Sequence, residues 1–421
     1  MVEQFYTDLD GLLRIPSVTE TGDEAYPFGK NCADALDYTL ALCENYGFRT
    51  KKCGNMLGYA EIGEGEEIIG ILAHLDVVPA GADWDYPPFA LTRVTVDGEE
   101  RLIGRGVLDD KGPALMCIYA MRVLANAKIP LSRRVRIIFG LTEEAGEWRD
   151  MEYYKATEEL PAFGFTPDAN FPCGYGEKGI SVFELKMPLS VAGVDAVSGG
   201  QASNMVPDKC ECTVGGEKFN ATGVSVHGST PTLGVNAIIE CMKAVNKKSP
   251  CALSEFVTGK FSEKCDGAGL GVNTWDSESG ELTLNLGVIE VRGDEVVMTI
   301  DIRYPVTKNY DAILTMLTAN CAQYGVTVVP CANKAPVYMD RNGALIKTLH
   351  EAYCDVTGDD TEPFTMGGGT YARAMPNIVS FGPVMPGCEE TAHQKNEYIT
   401  VDNVDKAVRI YAQTLLRLME I

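Results

Sequence analysis

Apolar residues open the chain at helical spacing, with Phe5, Leu9, Leu12 and Leu13 on one face and Pro16 ending the run, which predicts a short amphipathic helix. A second helix is expected over 30–46, placing Ala33, Leu36, Leu40 and Cys43 inward and Gly47 where a C-terminal cap belongs. Short β segments follow across 50–62. The run 71–79, Ile-Leu-Ala-His-Leu-Asp-Val-Val-Pro, reads as the end of a buried strand that delivers His74 and Asp76 to one side, because alternate residues of an extended chain face the same way. A loop over 79–88 carries Trp84, Asp85 and Tyr86 and reads as cover for the core.

Three further segments repeat this delivery of polar groups. Residues 102–113, Leu-Ile-Gly-Arg-Gly-Val-Leu-Asp-Asp-Lys-Gly-Pro, form a strand, a glycine-rich turn and a helix start, with Asp109 and Asp110 at the helix entrance, where negative charge is favoured. Capping accounts for one aspartate. It does not account for two acids beside a lysine in a turn where backbone approaches a ligand closely. A buried strand over 133–141 ends in Thr142-Glu143-Glu144, and the segment 163–168 ends in Asp168 behind Pro167. In open α/β sheets, ligands bind at that strand edge.

The pattern changes over 181–306, where strand-like stretches at 181–187, 281–289 and 295–302 and a helical pattern over 236–245 predict an inserted α+β domain. Helices over 310–324 and 343–353, strands over 326–329 and 378–382, and a glycine-rich loop over 366–373 follow. The polar cluster Glu390-Thr-Ala-His393 precedes a closing helix over 403–419, with Asp402 as its cap. The expected fold is α/β: a central mixed sheet built from 1–180 and 307–421, with the α+β domain at 181–306 between them.

Composition removes several classes of function. At 421 residues the chain is long for a single core. Its net charge of −23 argues against nucleic acid or an anionic membrane as partner. Fourteen cysteines without a Cys-x-x-Cys, most inside apolar segments, suit a reducing compartment. The opening residues lack the pattern of a signal peptide, and no apolar stretch approaches roughly 18 residues, so a cytoplasmic, soluble protein is expected.

The residues placed beyond strands or in glycine-rich turns are His74, Asp76, Asp109, Glu143, Glu144, Asp168 and His393, which include two of the four histidines. A lone His-x-Asp is more often a core histidine with a polar partner. The whole set points instead to a metal, and imidazole with carboxylates suits zinc, manganese or cobalt rather than calcium. Converging acids repel one another, and two divalent ions would balance Asp109, Glu144, Asp168 and one hydroxide. Glu143 and Glu144 point differently, so one can bind metal while the other accepts a proton from water. The run Gly367–Gly369 lacks a following Lys-Ser/Thr and is not a phosphate cradle.

Seven stretches carry a family resemblance: 73–79 and 104–113 as quoted; Thr142-Glu-Glu144; Thr166-Pro-Asp-Ala169; Val226-His-Gly-Ser229 with Gly234-Val-Asn-Ala237; Asp301-Ile-Arg-Tyr-Pro305; and Gly367-Gly-Gly-Thr-Tyr-Ala-Arg373 with Ala392-His-Gln394. In order and in register, they resemble the co-catalytic metallopeptidases that include carboxypeptidase G, the aminoacylases and the PepV- and Sapep-type dipeptidases. The resemblance implies a zinc-peptidase-like catalytic domain, with the inserted domain as a lid. His74, Asp109 and Asp168 would hold one divalent ion, and Asp109, Glu144 and His393 the other, with zinc first and manganese or cobalt as alternatives. Asp76 would orient His74, Glu143 would act as general base and then acid, His227 would reach the oxyanion, and Asn204 would help hold substrate. Arg303, Gly368, Gly369 and Thr370 would anchor a terminal carboxylate, which a guanidinium grips through two parallel hydrogen bonds.

The reaction so implied is hydrolysis of dipeptides or short peptides with a free C-terminal carboxylate, by a monomer or homodimer. Two features depart from the PepV-type pattern. The passage from 206–214 to His227 is shorter, and Glu147 beside Trp148 is an extra acid without a role. The rival enzymes, an N-acyl amino-acid deacylase or a succinyl-diaminopimelate desuccinylase, share the metal centre and differ in the pocket. A non-catalytic metal- or peptide-binding protein would have no use for Glu143.

Overall fold

Helix α1 (Val2–Leu13) buries Phe5, Leu9, Leu12 and Leu13 as its spacing requires, and α2 (Lys30–Asn45) buries Ala33, Leu36, Leu40 and Cys43. Gly47 follows with φ +82, the left-handed turn that ends the helix. The computed structural model describes residues 2–146 and 148–421, so Glu147 lies outside the described residues. Next come β1 (Arg49–Cys53), β2 (Leu57–Ile62), β3 (Ile68–His74), β4 (Thr92–Val96), β5 (Glu99–Ile103), α3 (Lys111–Ala127), β6 (Arg134–Gly140), α4 (Arg149–Thr157) and β7 (Phe163–Thr166). The second unit supplies β8 (Gly179–Pro188), β9 (Ala196–Gly199), β10 (Lys209–Val214), β11 (Glu217–Thr222), α5 (Ala237–Lys248), α6 (Ala252–Lys260), β12 (Thr283–Arg292), β13 (Glu295–Tyr304), α7 (Tyr310–Ala322) and β14 (Thr327–Lys334). The chain then adds α8 (Ala344–Thr357), β15 (Ile378–Ser380), β16 (Tyr398–Thr400) and α9 (Val401–Arg417).

The first unit comprises Met1–Tyr175, Met339–Phe364 and Thr370–Ile421. Its main sheet runs β1-β2-β6-β3-β7-β15; β1, β2 and β6 are antiparallel, whereas β6, β3, β7 and β15 are parallel. All seven residues of β3 are buried, which is how a strand covered on both faces reads in sequence. Ile69, Ile71 and Ala73 join one apolar cluster with α1, α3 and α9, and Leu72 joins another with Met151, Tyr154 and Tyr371. The second unit, Gly176–Tyr338 with Thr365–Gly369, has an antiparallel sheet in the order β11-β10-β9-β12-β13-β8-β14. Ile238, Met242, Leu253, Ile313 and Leu317 belong to its core.

The sequence boundary at 306 is corrected by this architecture. Strand β14 hydrogen-bonds along β8, and α7 buries Ile313, Leu317 and Cys321 in the second core, so the unit runs on to Tyr338. Strand pairing is a long-range property that the local pattern of 310–329 does not carry. Two caps also differ. The α9 cap is Thr400, whose side chain accepts from the Asn403 N–H, rather than Asp402. Asp110 begins α3 without capping it through its side chain.

Candidate metal centre

Parallel pairing sets His74 beside Gly140, so the ends of β3 and β6 deliver His74 and the Glu143-Glu144 turn to one edge. Asp168 follows β7 at the same edge, and Asp109 lies in the turn before α3. Asp109 then stands between the two imidazoles. Its Oδ1 is 3.0 Å from His74 Nε2 and its Oδ2 is 3.0 Å from His393 Nε2. Glu144 Oε2 lies 3.1 Å from His393 Nε2, and Asp168 Oδ2 lies 3.7 Å from His74 Nε2. Two overlapping sets have the spacing to hold a metal ion: His74, Asp109 and Glu144, and His74, Glu143 and Asp168.

The donor chemistry fits divalent ions. His74 Nδ1 is 3.0 Å from the backbone oxygen of Asp76, an acceptor, so this nitrogen carries the hydrogen. In the neutral ring Nε2 is then a buried lone pair facing the oxygens of Asp109 and Asp168. Acceptors facing one another are relieved by a shared cation, and an N,O set of this kind suits zinc, manganese or cobalt. The electrostatics point the same way. Burial pushes the Glu143 and Asp168 carboxyls well up and Glu144 up, and neighbouring acids push in the same direction. Against the pull of burial, Asp109 and Asp76 drive His74 well up and Asp109 and Glu144 drive His393 up to about 11, while the two histidines hold Asp109 below the usual carboxylate range, so the imidazoles carry protons at the places a divalent ion would take.

Asp76 does more than orient His74. Its Oδ1 is 3.4 Å from Nδ1, longer than the contact made by its own carbonyl. The carboxylate instead accepts the N–H groups of Glu143 (3.2 Å) and Glu144 (3.0 Å) and the hydroxyl of Thr19 (3.0 Å). The expected side-chain clamp on His74 is thus mainly a clamp on the glutamate turn.

Within the second unit, Asn204 and His227 are brought together, because the Gly228 N–H donates to Asn204 O at 2.7 Å. The Ser229 N–H donates to His227 Nδ1 at 3.2 Å, which leaves the hydrogen of a neutral ring on Nε2. Arg303 is already engaged. Its Nε and Nη2 donate to Asp301 at 2.6 and 2.9 Å, and its Nη1 donates to Gly367 O at 3.0 Å. The two parallel bonds expected for a substrate carboxylate are made to Asp301, which faces the same way from two residues earlier on β13. Thr370, in the first unit, caps the short helix Tyr371–Ala374 by accepting the Ala372 N–H.

Residues 70–417 match peptidase family M20/M25/M40. The chain belongs to this family. Among family relatives, a candidate dipeptidase of Staphylococcus saprophyticus is 34% identical, over 98% of this chain and 96% of that protein. Among solved structures, the di-peptidase Dug1p of Saccharomyces cerevisiae superposes with a TM-score of 0.67 at 15% identity, covering 100% of this chain and 96% of that one. Human carnosine dipeptidase 1 gives 0.65 at 17% identity with coverage of 100% and 96%. These two share the fold.

Two further buried acids, Asp150 and Asp110, brace the strand ends that carry the candidate ligands. Asp150, fully buried at the start of α4, accepts the Leu141 N–H (2.6 Å), the Thr142 N–H (3.1 Å) and the Tyr371 hydroxyl (2.6 Å). Asp110 accepts the His74 N–H at 3.0 Å. Asp110 was visible as the second of two adjacent acids. Nothing local marks Asp150, since a helix-start aspartate reads as an ordinary first-turn acid.

Proposed function

We propose that this protein is a dinuclear-metal hydrolase that cleaves dipeptides or short peptides bearing a free C-terminal carboxylate. The observation that carries the reading is Asp109, with one carboxylate oxygen turned to each of two imidazoles. The dipeptidase names of its relatives support the substrate class. His74, Asp109 and Asp168 would hold one ion, and Asp109, Glu144 and His393 the other, with zinc the first candidate and manganese or cobalt next.

When bound, the ion pair supplies Lewis acidity toward the carbonyl and a lowered pKa for water. Glu143 accepts the proton of the attacking water and returns it to the departing amine. His227, with its hydrogen on Nε2, donates to the oxyanion. Asn204 holds substrate, and the Gly368-Gly369-Thr370 loop anchors the terminal carboxylate, with Arg303 ordering that loop through Gly367. A reducing, cytoplasmic setting is supported by fourteen cysteines, none in a disulfide. Among the described residues, no helix is long and apolar enough to cross a membrane.

The test is hydrolysis of a panel of dipeptides and N-acyl amino acids by metal-free protein reconstituted in turn with zinc, manganese and cobalt. Metal-dependent cleavage of dipeptides is the expected result. Cleavage confined to acylated amino acids would move the activity to a deacylase, and stoichiometric metal binding without turnover would leave a binding protein.

A further inference from the structure

We propose that Glu397 is a positioning residue that holds Asp109 and His393 in one frame and thereby sets the affinity of the metal pair; this rests on the dinuclear reading above. Glu397 lies four residues beyond His393 and is fully buried. Its carboxylate accepts the backbone N–H groups of Gly106 (3.1 Å to each oxygen), Leu108 (2.8 Å) and Asp109 (3.1 Å), together with Arg105 Nη1 (2.6 Å). Its own carbonyl accepts the Gly104 N–H at 3.0 Å. The turn that presents Asp109 is therefore wrapped around a carboxylate from the segment that presents His393.

Several details show that this segment is built to be tied. His393 and Asn396 have φ of +63 and +57, left-handed conformations that a non-glycine residue keeps only when its surroundings impose them. The Thr391 hydroxyl donates to Tyr398 O and accepts the Tyr398 N–H, each at 3.0 Å, which closes the loop carrying His393. Tyr398 then pairs with Ile103 across β16 and β5, one residue before the Asp109 turn begins. Gly106, at φ +87, can adopt the turn, and a Cβ there would meet Val77 Cγ1 at 3.0 Å. Arg105 is buried as well, with its guanidinium carbon 5.2 Å from the Trp84 ring.

A buried ion pair alone would only affect stability, and Arg105–Glu397 could then be replaced without touching the site. Three N–H groups of a metal-ligand turn, converging on one carboxylate, do something more specific. They fix where the Asp109 side chain starts, and hydrogen-bonded supports of this kind change metal affinity by roughly 10–100-fold when removed.

The test compares the full-length wild type with Glu397→Gln and Glu397→Asp, each stripped of metal and titrated with zinc by chelator competition, with thermal unfolding of the metal-free forms alongside. Glu397→Gln is expected to weaken zinc binding by about 10–100-fold in folded protein. Glu397→Asp keeps the charge but reaches fewer of the donors, and an intermediate loss is expected. If Glu397→Gln does not fold, the Asp variant decides the matter. Wild-type zinc affinity in a folded variant, with only the melting temperature lowered, would overturn the positioning role. Failure of the wild type itself to bind two ions would instead overturn the dinuclear reading.

Discussion

Replacing Gly140 by alanine should damage both the fold and the catalytic turn, through one contact. A Cβ at position 140 would lie 2.4 Å from Cε2 and Oη of Tyr371 and 2.7 Å from Cζ. Ordinary carbon contacts begin near 3.5 Å, so the ring or the strand must yield by roughly 1 Å. The ring has little room to move. Its hydroxyl is held by Asp150 at 2.6 Å, and its edges meet Trp148 and His74 with centroids 5.5 and 6.1 Å away. Overpacking of this kind costs about 1–3 kcal/mol, and if the ring yields, depriving the buried Asp150 of a donor adds about 1–3 kcal/mol. The total, about 2–6 kcal/mol, corresponds to a fall in melting temperature on the order of 10 °C for a unit of this size. Because Gly140 immediately precedes Leu141 and the Glu143-Glu144 turn, kcat for a dipeptide should fall as well. Calorimetry and dipeptide hydrolysis measure the two effects, and Tyr371→Leu in the same background should recover part of the stability. A Gly140→Ala protein that melts within about 2 °C of wild type and turns over normally would refute the packing argument.

Two other carboxylates allow further checks. Glu61 accepts Arg136 Nε at 2.8 Å and Nη2 at 2.7 Å in the interior, and Arg49 Nη2 at 3.0 Å near the surface. Glu61→Ala strands the buried Arg136 and should cost about 3–5 kcal/mol, whereas Arg49→Ala, half-exposed, should cost about 1 kcal/mol or less. Urea unfolding compares them, and equal costs would contradict the role of burial. Glu143→Gln should keep near-wild-type metal content while turnover falls by about 10²–10⁴-fold. Substantial residual turnover would remove Glu143 as the base.

Much of the centre was legible because its residues follow strands. Alternation and buried runs located His74, Glu143, Glu144 and Asp168, and the glycine-rich turn located Asp109. These stretches are close in space because parallel strands present their ends at one edge. The supports were less visible. Asp150 and Tyr371 meet the glutamate turn only after α4 and the 370–374 segment have packed, and no local pattern announces that meeting. The Arg303–Asp301 pair is a different case. The same alternation that put His74 and Asp76 on one side also put Asp301 beside Arg303, so the engaged guanidinium was readable from Asp-Ile-Arg. The misplaced boundary at 306 has a third origin, since β14 declares its sheet only by pairing with β8.

The discontinuity of the first unit has a consequence for synthesis. The second unit draws its whole sheet from one uninterrupted stretch, β8 to β14, and can close it as soon as that stretch has emerged from the ribosome. The first unit cannot, because β7 waits for β15 and α3 waits for α9. Its acids are all translated by Asp168, yet His393 arrives only after the inserted unit has been made. A growing chain thus holds every acid of the centre well before the second imidazole, and the metal site is complete only when His393 is laid into place.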